Sequence, residues 1–364
     1  MPPSLGSVAS ALGGGGSSNS PAYRPAFKVG QGAGGGGGLL GAAASILGMQ
    51  QSDPGADCVQ SLQLDLQVAP GVDACTIETV GAKLPSVALG DSLSVQLGYT
   101  DQLTPTFSGK VARVLARQDG SVQLTLDNGA LTLARLRQNT SFEQQTLSGV
   151  VNTLLSDASV TPGTVDTGAN FPFLAIDDRQ SLWDWIATLA AYSNCYAWVD
   201  SSGSVQVKSS AGPATVTFKY GEDVLALHYS EATPQAGKVS VISEGAAGSQ
   251  GSQAWSWLSK KSSGIKAQQG ASGDERQRSV GALRNLSAAQ TSAQFWQQRL
   301  SAVAKRVQLT TPGNATLAVG DTISVSDCPQ GRGDGDFRIV RLQHFYDKKQ
   351  GFVTRIDGVS GGSP

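Results

Sequence analysis

The chain has 364 residues, with 27 basic and 28 acidic side chains and a net charge of −1, a length that allows roughly two to four domains and a large buried core. No basic surplus is present to neutralise phosphates, which argues against a sequence-specific nucleic-acid binder. Charged residues are only 15% of the chain, against roughly 25% in an ordinary soluble domain; this suits either faces covered by partners, whose cores are poor in charge, or a Ser/Thr/Gln-rich soluble protein.

Residues 1–55 read as a flexible glycine-rich extension, with polyglycine at Gly13–Gly16 and Gly34–Gly38 and only Arg24 and Lys28 charged before Asp53; such a segment buries too little apolar area to offset its ordering entropy. Its apolar stretch Leu39–Met49 is short of the ~20 residues that cross a bilayer. No transmembrane segment is expected, and Leu39, Leu40, Ile46 and Leu47 are candidates for docking on a partner. The string Gly30-Gln31-Gly32-Ala33-Gly34-Gly35 fits GxGxxG only formally, inside a glycine tract. With Met1-Pro2-Pro3-Ser4-Leu5 lacking a basic region before an apolar run, no secretory signal is expected.

From Leu62 the pattern alternates. Leu62, Leu64, Leu66 and Val68, then Leu93, Val95 and Leu97, then Val122, Leu124 and Leu126 read as half-buried strands, with a turn at Gln118-Asp119-Gly120. A second turn at Asp127-Asn128-Gly129, with Leu131, Leu133 and Leu136 beyond it, extends the series. Residues 56–140 thus read as a first β-domain, a barrel or a sandwich.

Residues 141–215 read as an inserted helix-helix-hairpin region. Leu147, Val150, Val151, Leu154 and Leu155 have helical spacing, with Thr146 as cap. Ser181 and Asp184 form a capping box before a stripe of Leu182, Trp185, Ile186, Leu189 and Ala190; Trp183 is left off that stripe. Residues 196–200 and 204–208 then predict a hairpin about Ser201-Ser202-Gly203. Residues 216–304 are expected to hold linking strands around Val224, Leu225, Leu227, Val239 and Val241, a mobile loop over Gly245–Gly273, and a helix from Ser287 to Arg306. That helix carries a stripe of Ala293, Trp296, Leu300, Val303 and Val307, and Gln290 completes a capping box at its start.

Residues 305–364 repeat the first β-unit. Ala88-Leu89-Gly90-Asp91-Ser92-Leu93-Ser94-Val95 returns as Ala318-Val319-Gly320-Asp321-Thr322-Ile323-Ser324-Val325, and each copy is followed by two further strand-like runs. Gly90, Asp91, Gly320 and Asp321 are the candidate structural residues of this duplicated barrel motif. The expected fold class is α+β, mainly β.

Little is available for catalysis. Two histidines, His228 and His344, and four cysteines without CxxC spacing, Cys58, Cys75, Cys195 and Cys328, support neither a zinc site nor a triad. Asp177-Asp178 reads as a helix-end pair and Asp334/Asp336 as a glycine turn rather than a Ca²⁺ loop. The glycosylation sequons at Asn139, Asn285 and Asn314 lack a secretory context. No catalytic residue, cofactor or metal is expected, and the cysteines read as small buried thiols.

Gln180-Ser181-Leu182-Trp183-Asp184-Trp185-Ile186-Ala187-Thr188-Leu189-Ala190 is similar to the QS-x-x-x-FL-x-x-LA segment of baseplate hub proteins of contractile phage tails. Together with Gly320–Val325, Gly335–Val340 and Gly351–Thr354, the chain over residues 58–358 resembles phage late control protein D, the Mu-like hub and the hub half of type VI secretion VgrG proteins. The resemblance implies a non-enzymatic homotrimer with two similar β-barrels per subunit. It would join a six-fold tail tube protein to a three-fold spike protein around an axial channel, beside other baseplate proteins, in a virion assembled in the bacterial cytoplasm. Since the chain ends at Pro364, the spike is expected to be a separate protein. The rival reading is a glycan-binding or cell-wall-active tail-tip protein using Trp183, Trp198, Trp255 and Trp257 as stacking platforms.

Overall fold

The computed structural model describes residues 25–31, 59–79, 87–99, 102–209, 214, 216–243, 265–271, 273–349 and 351–360. The docking segment with Leu39, Leu40, Ile46 and Leu47, and also Cys58, Trp255 and Trp257, lie outside them.

The first β-unit comprises β1 (Pro25–Gln31), β2 (Val59–Gln67), β3 (Ala74–Thr79), β4 (Ser92–Tyr99), β5 (Gln102–Ala116) and β6 (Val122–Asp127). An insert follows: α1 (Gly129–Arg135), β7 (Thr140–Thr146), α2 (Leu147–Asp157), β8 (Pro162–Val165), β9 (Asn170–Ile176), α3 (Leu182–Tyr192), β10 (Tyr196–Val199) and β11 (Val205–Lys208). The second unit opens with β12 (Val216–Lys219) and β13 (Ala226–Glu231). It is interrupted by β14 (Lys238–Ser243), β15 (Ile265–Gly270), β16 (Glu275–Ser279) and α4 (Leu286–Val303). It is completed by β17 (Lys305–Pro312), β18 (Thr322–Ser326), β19 (Gly335–Asp347) and β20 (Gly351–Ser360). The chain is mainly β.

The strands of both units form one twelve-stranded sheet in the order β1-β4-β5-β6-β3-β2-β19-β20-β17-β13, with β18 on β19 and β12 on β18. Two similar barrels are expected from the sequence. Among the described residues no closed barrel is found, and the two units are joined edge to edge where β2 pairs antiparallel with β19. The alternation that predicts the strands also fixes their faces. Leu62, Leu64 and Leu66 are buried while Gln63, Asp65 and Gln67 are not, and the other strands of the junction alternate likewise. One apolar core spans both units, from Leu64, Cys75 and Leu126 to Ile339, Leu342 and Ile356. A second core is shared by the two inserted segments: Val150, Leu154, Trp183 and Ile186 pack with Val239, Leu283, Ala289 and Ala293.

The helix over Leu147–Asp157 buries all five stripe residues, and Thr146 Oγ1 accepts from Gly149 N at 3.2 Å. At α3, Ser181 Oγ accepts from Asp184 N at 3.2 Å and donates to the Asp184 carboxylate at 2.6 Å. The hairpin β10–β11 forms in the expected place.

Other expectations are corrected. Residues 129–135 are a helix, not a strand, because Asn128 caps it by accepting from Ala130 N at 3.0 Å and Leu133 turns into the insert core. Trp183 is the buried tryptophan of α3, its indole donating to Gly71 O at 2.8 Å, while Trp185 is half-buried and donates to Asp177 O at 2.9 Å. α4 starts at an Asn285 cap (Asn285 Oδ1 accepts from Ala288 N at 2.7 Å) and not at a Ser287/Gln290 box. Its buried face is Ala288, Ala289, Ser292, Ala293, Phe295 and Ala302; of the expected stripe Ala293 is buried, Trp296 and Leu300 pack against the insert core half-buried, and Val307 lies in β17. Within Gly245–Gly273, residues 265–270 are β15, paired with β14. Residues 25–31, inside the glycine-rich extension, form β1 on β4, and Phe27 packs against Tyr346 with ring centroids 4.7 Å apart.

Candidate functional site

The feature with most structure behind it is the duplicated motif, and its two copies are built alike to the level of single hydrogen bonds. Each copy turns at a glycine with positive φ, +89° at Gly90 and +91° at Gly320, backbone that glycine enters without the Cβ penalty. Each aspartate closes its loop: Asp91 Oδ2 accepts from Ala88 N at 2.8 Å, and Asp321 Oδ2 accepts from Ala318 N at 2.9 Å. Each loop is tied to the next strand by a reciprocal pair. Gly90 N donates to Val111 O and Val111 N to Asp91 O at 2.8 and 2.9 Å; Gly320 N donates to Ile339 O and Ile339 N to Asp321 O at 3.0 and 2.8 Å.

The likeness extends across each unit. β5 bulges against β6 between Val111 and Arg113, and β19 bulges against β20 between Ile339 and Arg341. An extra residue at matched places bends both long strands in the same way. On the far side β3 pairs with β6 as β17 pairs with β20, and β2 lies on β3 as β13 lies on β17. The strand order β2-β3-β6-β5-β4 is therefore repeated as β13-β17-β20-β19-β18. The outermost strand differs: β1 adds to β4 antiparallel, whereas β12 adds to β18 parallel.

The units meet through unlike edges, β2 of the first on β19 of the second, with Leu66 opposite Leu342 and Leu64 opposite His344. On the polar face Arg341 Nε donates to Asp65 Oδ1 at 2.8 Å in a forked ion pair, and Gln343 Nε2 donates to Asp65 Oδ2 at 3.1 Å. On the core face His344 is fully buried; its Nδ1 lies 3.0 Å from Thr354 Oγ1 and its Nε2 has no partner. Burial pulls its pKa down to about 4, so the ring is neutral. Asp73, in the β2–β3 connection, is also buried; it accepts from Gln67 N at 2.7 Å and from Asn128 Nδ2 at 2.6 Å, and burial pushes its carboxyl up to about 7. Both groups are walled into packing, far from the reach of a substrate.

The remaining polar candidates serve local structure. Asp177 is bound by Arg179, and Asp334 Oδ1 accepts from Cys328 N at 2.9 Å. Asn139 Oδ1 accepts from Asp178 N at 3.1 Å and Asn314 Oδ1 from Thr316 N at 3.0 Å. Cys75, Cys195 and Cys328 are free and buried, and burial pushes the Cys328 thiol up to about 11. Among the described residues there is no group of three or more His, Cys, Asp or Glu placed to hold a metal ion, and no helix long and apolar enough to cross a membrane. Of the four tryptophans that suggest glycan stacking, Trp183 is 1% exposed and Trp198 is packed over Gly320.

The sheet has one broad polar face. Gln63, Asp65 and Gln67 of β2, Thr76 and Glu78 of β3, Gln123 and Thr125 of β6, Arg341 and Gln343 of β19, and Arg355 and Asp357 of β20 stand on it in cross-strand rows. Amides and hydroxyls are the commonest groups on it, and carboxylates and guanidiniums are interspersed among them.

A family model described as the phage tail baseplate hub (GPD) matches residues 58–350. No curated protein matches the chain in sequence. Among solved structures, a tail protein from Neisseria meningitidis MC58 superimposes with a TM-score of 0.67 at 13% identity, over 93% of this chain and 98% of its own. The 43 kDa tail protein of prophage MuSo2 from Shewanella oneidensis gives 0.64 at 16% identity, over 83% and 94%. A component of the E. coli type VI secretion system, the c3393 protein, gives 0.54 at 10% identity, over 84% and 74%.

Proposed function

Because the chain belongs to the phage tail baseplate hub (GPD) family, we propose that it is the trimeric adaptor at the centre of a contractile tail or related injection machine. Three copies place six similar β-units around an axis, so that a six-fold tail tube protein stacks on one side and a three-fold spike protein docks on the other. The observation that carries this reading is the hydrogen-bond-level identity of the two units, from the Gly90 and Gly320 loops to the matched bulges. A partner ring of identical subunits meets near-equivalent surfaces only if both units of each chain are built alike.

The polar sheet face is the wall of the axial channel in this reading. Its mixed charge, with Asp65, Glu78 and Asp357 beside Arg341 and Arg355, supports it. A wall of one sign would either bind or repel a passing polyanion strongly. The segment Leu39–Met49, with Leu39, Leu40, Ile46 and Leu47, docks on a neighbouring baseplate or tube protein. Since β1 belongs to the sheet, deletion of residues 38–50 alone is the informative variant: it weakens attachment to the baseplate and leaves the hub ring intact.

The test is electron microscopy of the purified full chain, alone and mixed with its tube protein. A three-fold ring with an axial opening and tube stacked on one face is expected. A monomer that never engages the tube protein sinks the reading.

A further inference from the structure

The internal junction leaves one copy of itself unmade. The first unit's β2 edge lies on the free part of the second unit's β19. The corresponding edges, β13 of the second unit and the distal part of β5 in the first, have no strand on them among the described residues. We propose that β13 of one subunit pairs antiparallel with residues 112–116 of β5 in a second copy of this chain, remaking the β2–β19 junction between subunits.

The shared pairings give the register. Arg341–His344 have their counterparts in Arg113–Ala116, and Leu62–Asp65 theirs in Leu227–Ser230, through the equivalent partners on β20, β17, β6 and β3; Glu231, Ala232 and Thr233 continue the second series. Arg341 opposite Gln67, Leu342 opposite Leu66, Gln343 opposite Asp65 and His344 opposite Leu64 become Arg113 opposite Ala232, Val114 opposite Glu231, Leu115 opposite Ser230 and Ala116 opposite Tyr229. Val68 N, which donates to the bulge carbonyl of Val340 at 3.0 Å, becomes Thr233 N, and Ala112 O is the acceptor that awaits it.

Exposure picks out the same face. Leu342 is fully buried, while Val114 in the matching position is 40% exposed. Val319 is 4% exposed, while its counterpart Leu89 is 68% exposed. Gly320 is covered by Trp198, whereas a Cβ on Gly90 would meet nothing within 4 Å. An apolar edge left open in this way is a liability in a free monomer and a ready site for strand addition. Unlike edges meeting head to tail either close into a ring or propagate as a filament. The ring is the outcome that the hub reading, on which this inference rests, requires.

The test uses the full chain carrying Leu115→Cys with Ser230→Cys, residues directly opposite in the register and within disulfide reach. Oxidation is expected to give covalent dimers and closed trimers, absent from either single variant. Leu115→Cys with His228→Cys, two residues out of register, is expected to cross-link weakly. Val114→Lys, at a position open in the single chain, is expected to convert the ring into folded monomers. Multimers that form without the Leu115–Ser230 cross-link, and that survive Val114→Lys, overturn the inference and leave the hub reading standing. A monomer in which the thiol at 115 is shielded from alkylation assigns the edge to another segment of the same chain and overturns it too. A folded chain that stays monomeric with that thiol open, even beside its tube protein, removes both.

Discussion

Gly90 and Gly320 share one backbone conformation, but substitution meets different surroundings at each. Alanine at either position carries the strain of φ near +90°, on the order of 1 kcal/mol. At Gly320 the new Cβ would also lie 3.3 Å from the Trp198 ring, tighter than comfortable contact, so the ring must give by a few tenths of an ångström. Gly320→Ala is therefore expected to lower the urea midpoint clearly more than Gly90→Ala and to move tryptophan fluorescence, which Gly90→Ala leaves alone. Equal midpoints would mean that Trp198 gives way freely. His344 and Asp73 make a second residue-level pair, with opposite signs. The folded-state pKa of His344, about 4, lies below its ordinary 6.5, so the unfolded chain binds the extra proton and stability rises with pH between those values. Asp73, raised from 3.8 to about 7, holds its proton in the folded state, so its contribution falls as pH rises through that window. Across these windows His344 is worth about 3 kcal/mol and Asp73 about 4 kcal/mol, of opposite sign, so the two largely offset each other in the native sequence. In His344→Leu the Asp73 contribution is no longer opposed by the buried imidazole: thermal stability is expected to decline from pH 4 to pH 7 relative to Asp73→Asn, in which it is expected to climb. Parallel profiles for the two variants would refute this pairing.

At the scale of elements, caps decide where the inserted helices begin. Asn128 does two things at once: its Oδ1 caps α1 through Ala130 N, and its Nδ2 satisfies the buried Asp73. Asn128→Ala removes a cap, about 1 kcal/mol, and leaves a buried carboxyl short of a donor, about 1–3 kcal/mol more. Ser181→Ala at α3 removes one cap whose partner Asp184 is partly exposed, so about 1 kcal/mol is expected. Urea titration of the two variants should rank Asn128→Ala as the more damaging; the reverse order would show that Asp73 finds another donor. The same elements explain what could be read in advance. α2 was legible because five apolar residues at helical spacing all face one core. α1 was not, since seven residues make only two turns and Leu131 and Leu133 alone mimic strand alternation. β15 and β16 read Ile265-Lys-Ala-Gln-Gln-Gly and Glu275-Arg-Gln-Arg-Ser. Polar on both faces, they are strands only because β14 offers an edge on each side, a long-range fact that no local pattern carries. β1 was hidden in a glycine tract for the same reason. The loop residues Gly90, Asp91, Gly320 and Asp321 were found because duplication is visible without knowing the fold. The junction residues Asp65, Arg341 and His344 were missed, because nothing in a strand's own sequence names the strand beside it.

The whole molecule is two cores threaded by one chain that passes back and forth between them. The sheet core takes residues from Val59 to Leu126 and again from Phe218 to Ile356; the insert core takes Ala69, residues from Ala130 to Val207 and again from Val239 to Ala293. Neither core can be completed by one stretch of sequence. A cut between β14 and β15 therefore divides both. The N-terminal piece holds β2, β12, β13 and β14, and the C-terminal piece holds their partners β19, β18, β17 and β15 with β16. Each piece alone would expose strand edges and one side of each core, including the Leu64, Ile77 and Leu126 side of the sheet and the Ala289, Ala293 and Phe295 side of α4. A site-specific protease sequence inserted at residues 250–260 and cleaved in the folded protein is thus expected to leave the fragments together on gel filtration in native buffer, separating only in denaturant. The nicked protein should unfold in a single transition at lower urea than the intact chain, since the cut returns chain entropy to the unfolded state but leaves every pairing in place. Fragments that part in native buffer, or two resolved transitions for the two cores, would show instead that the sheet and the insert stand independently, and that the second unit does not need the first to complete it.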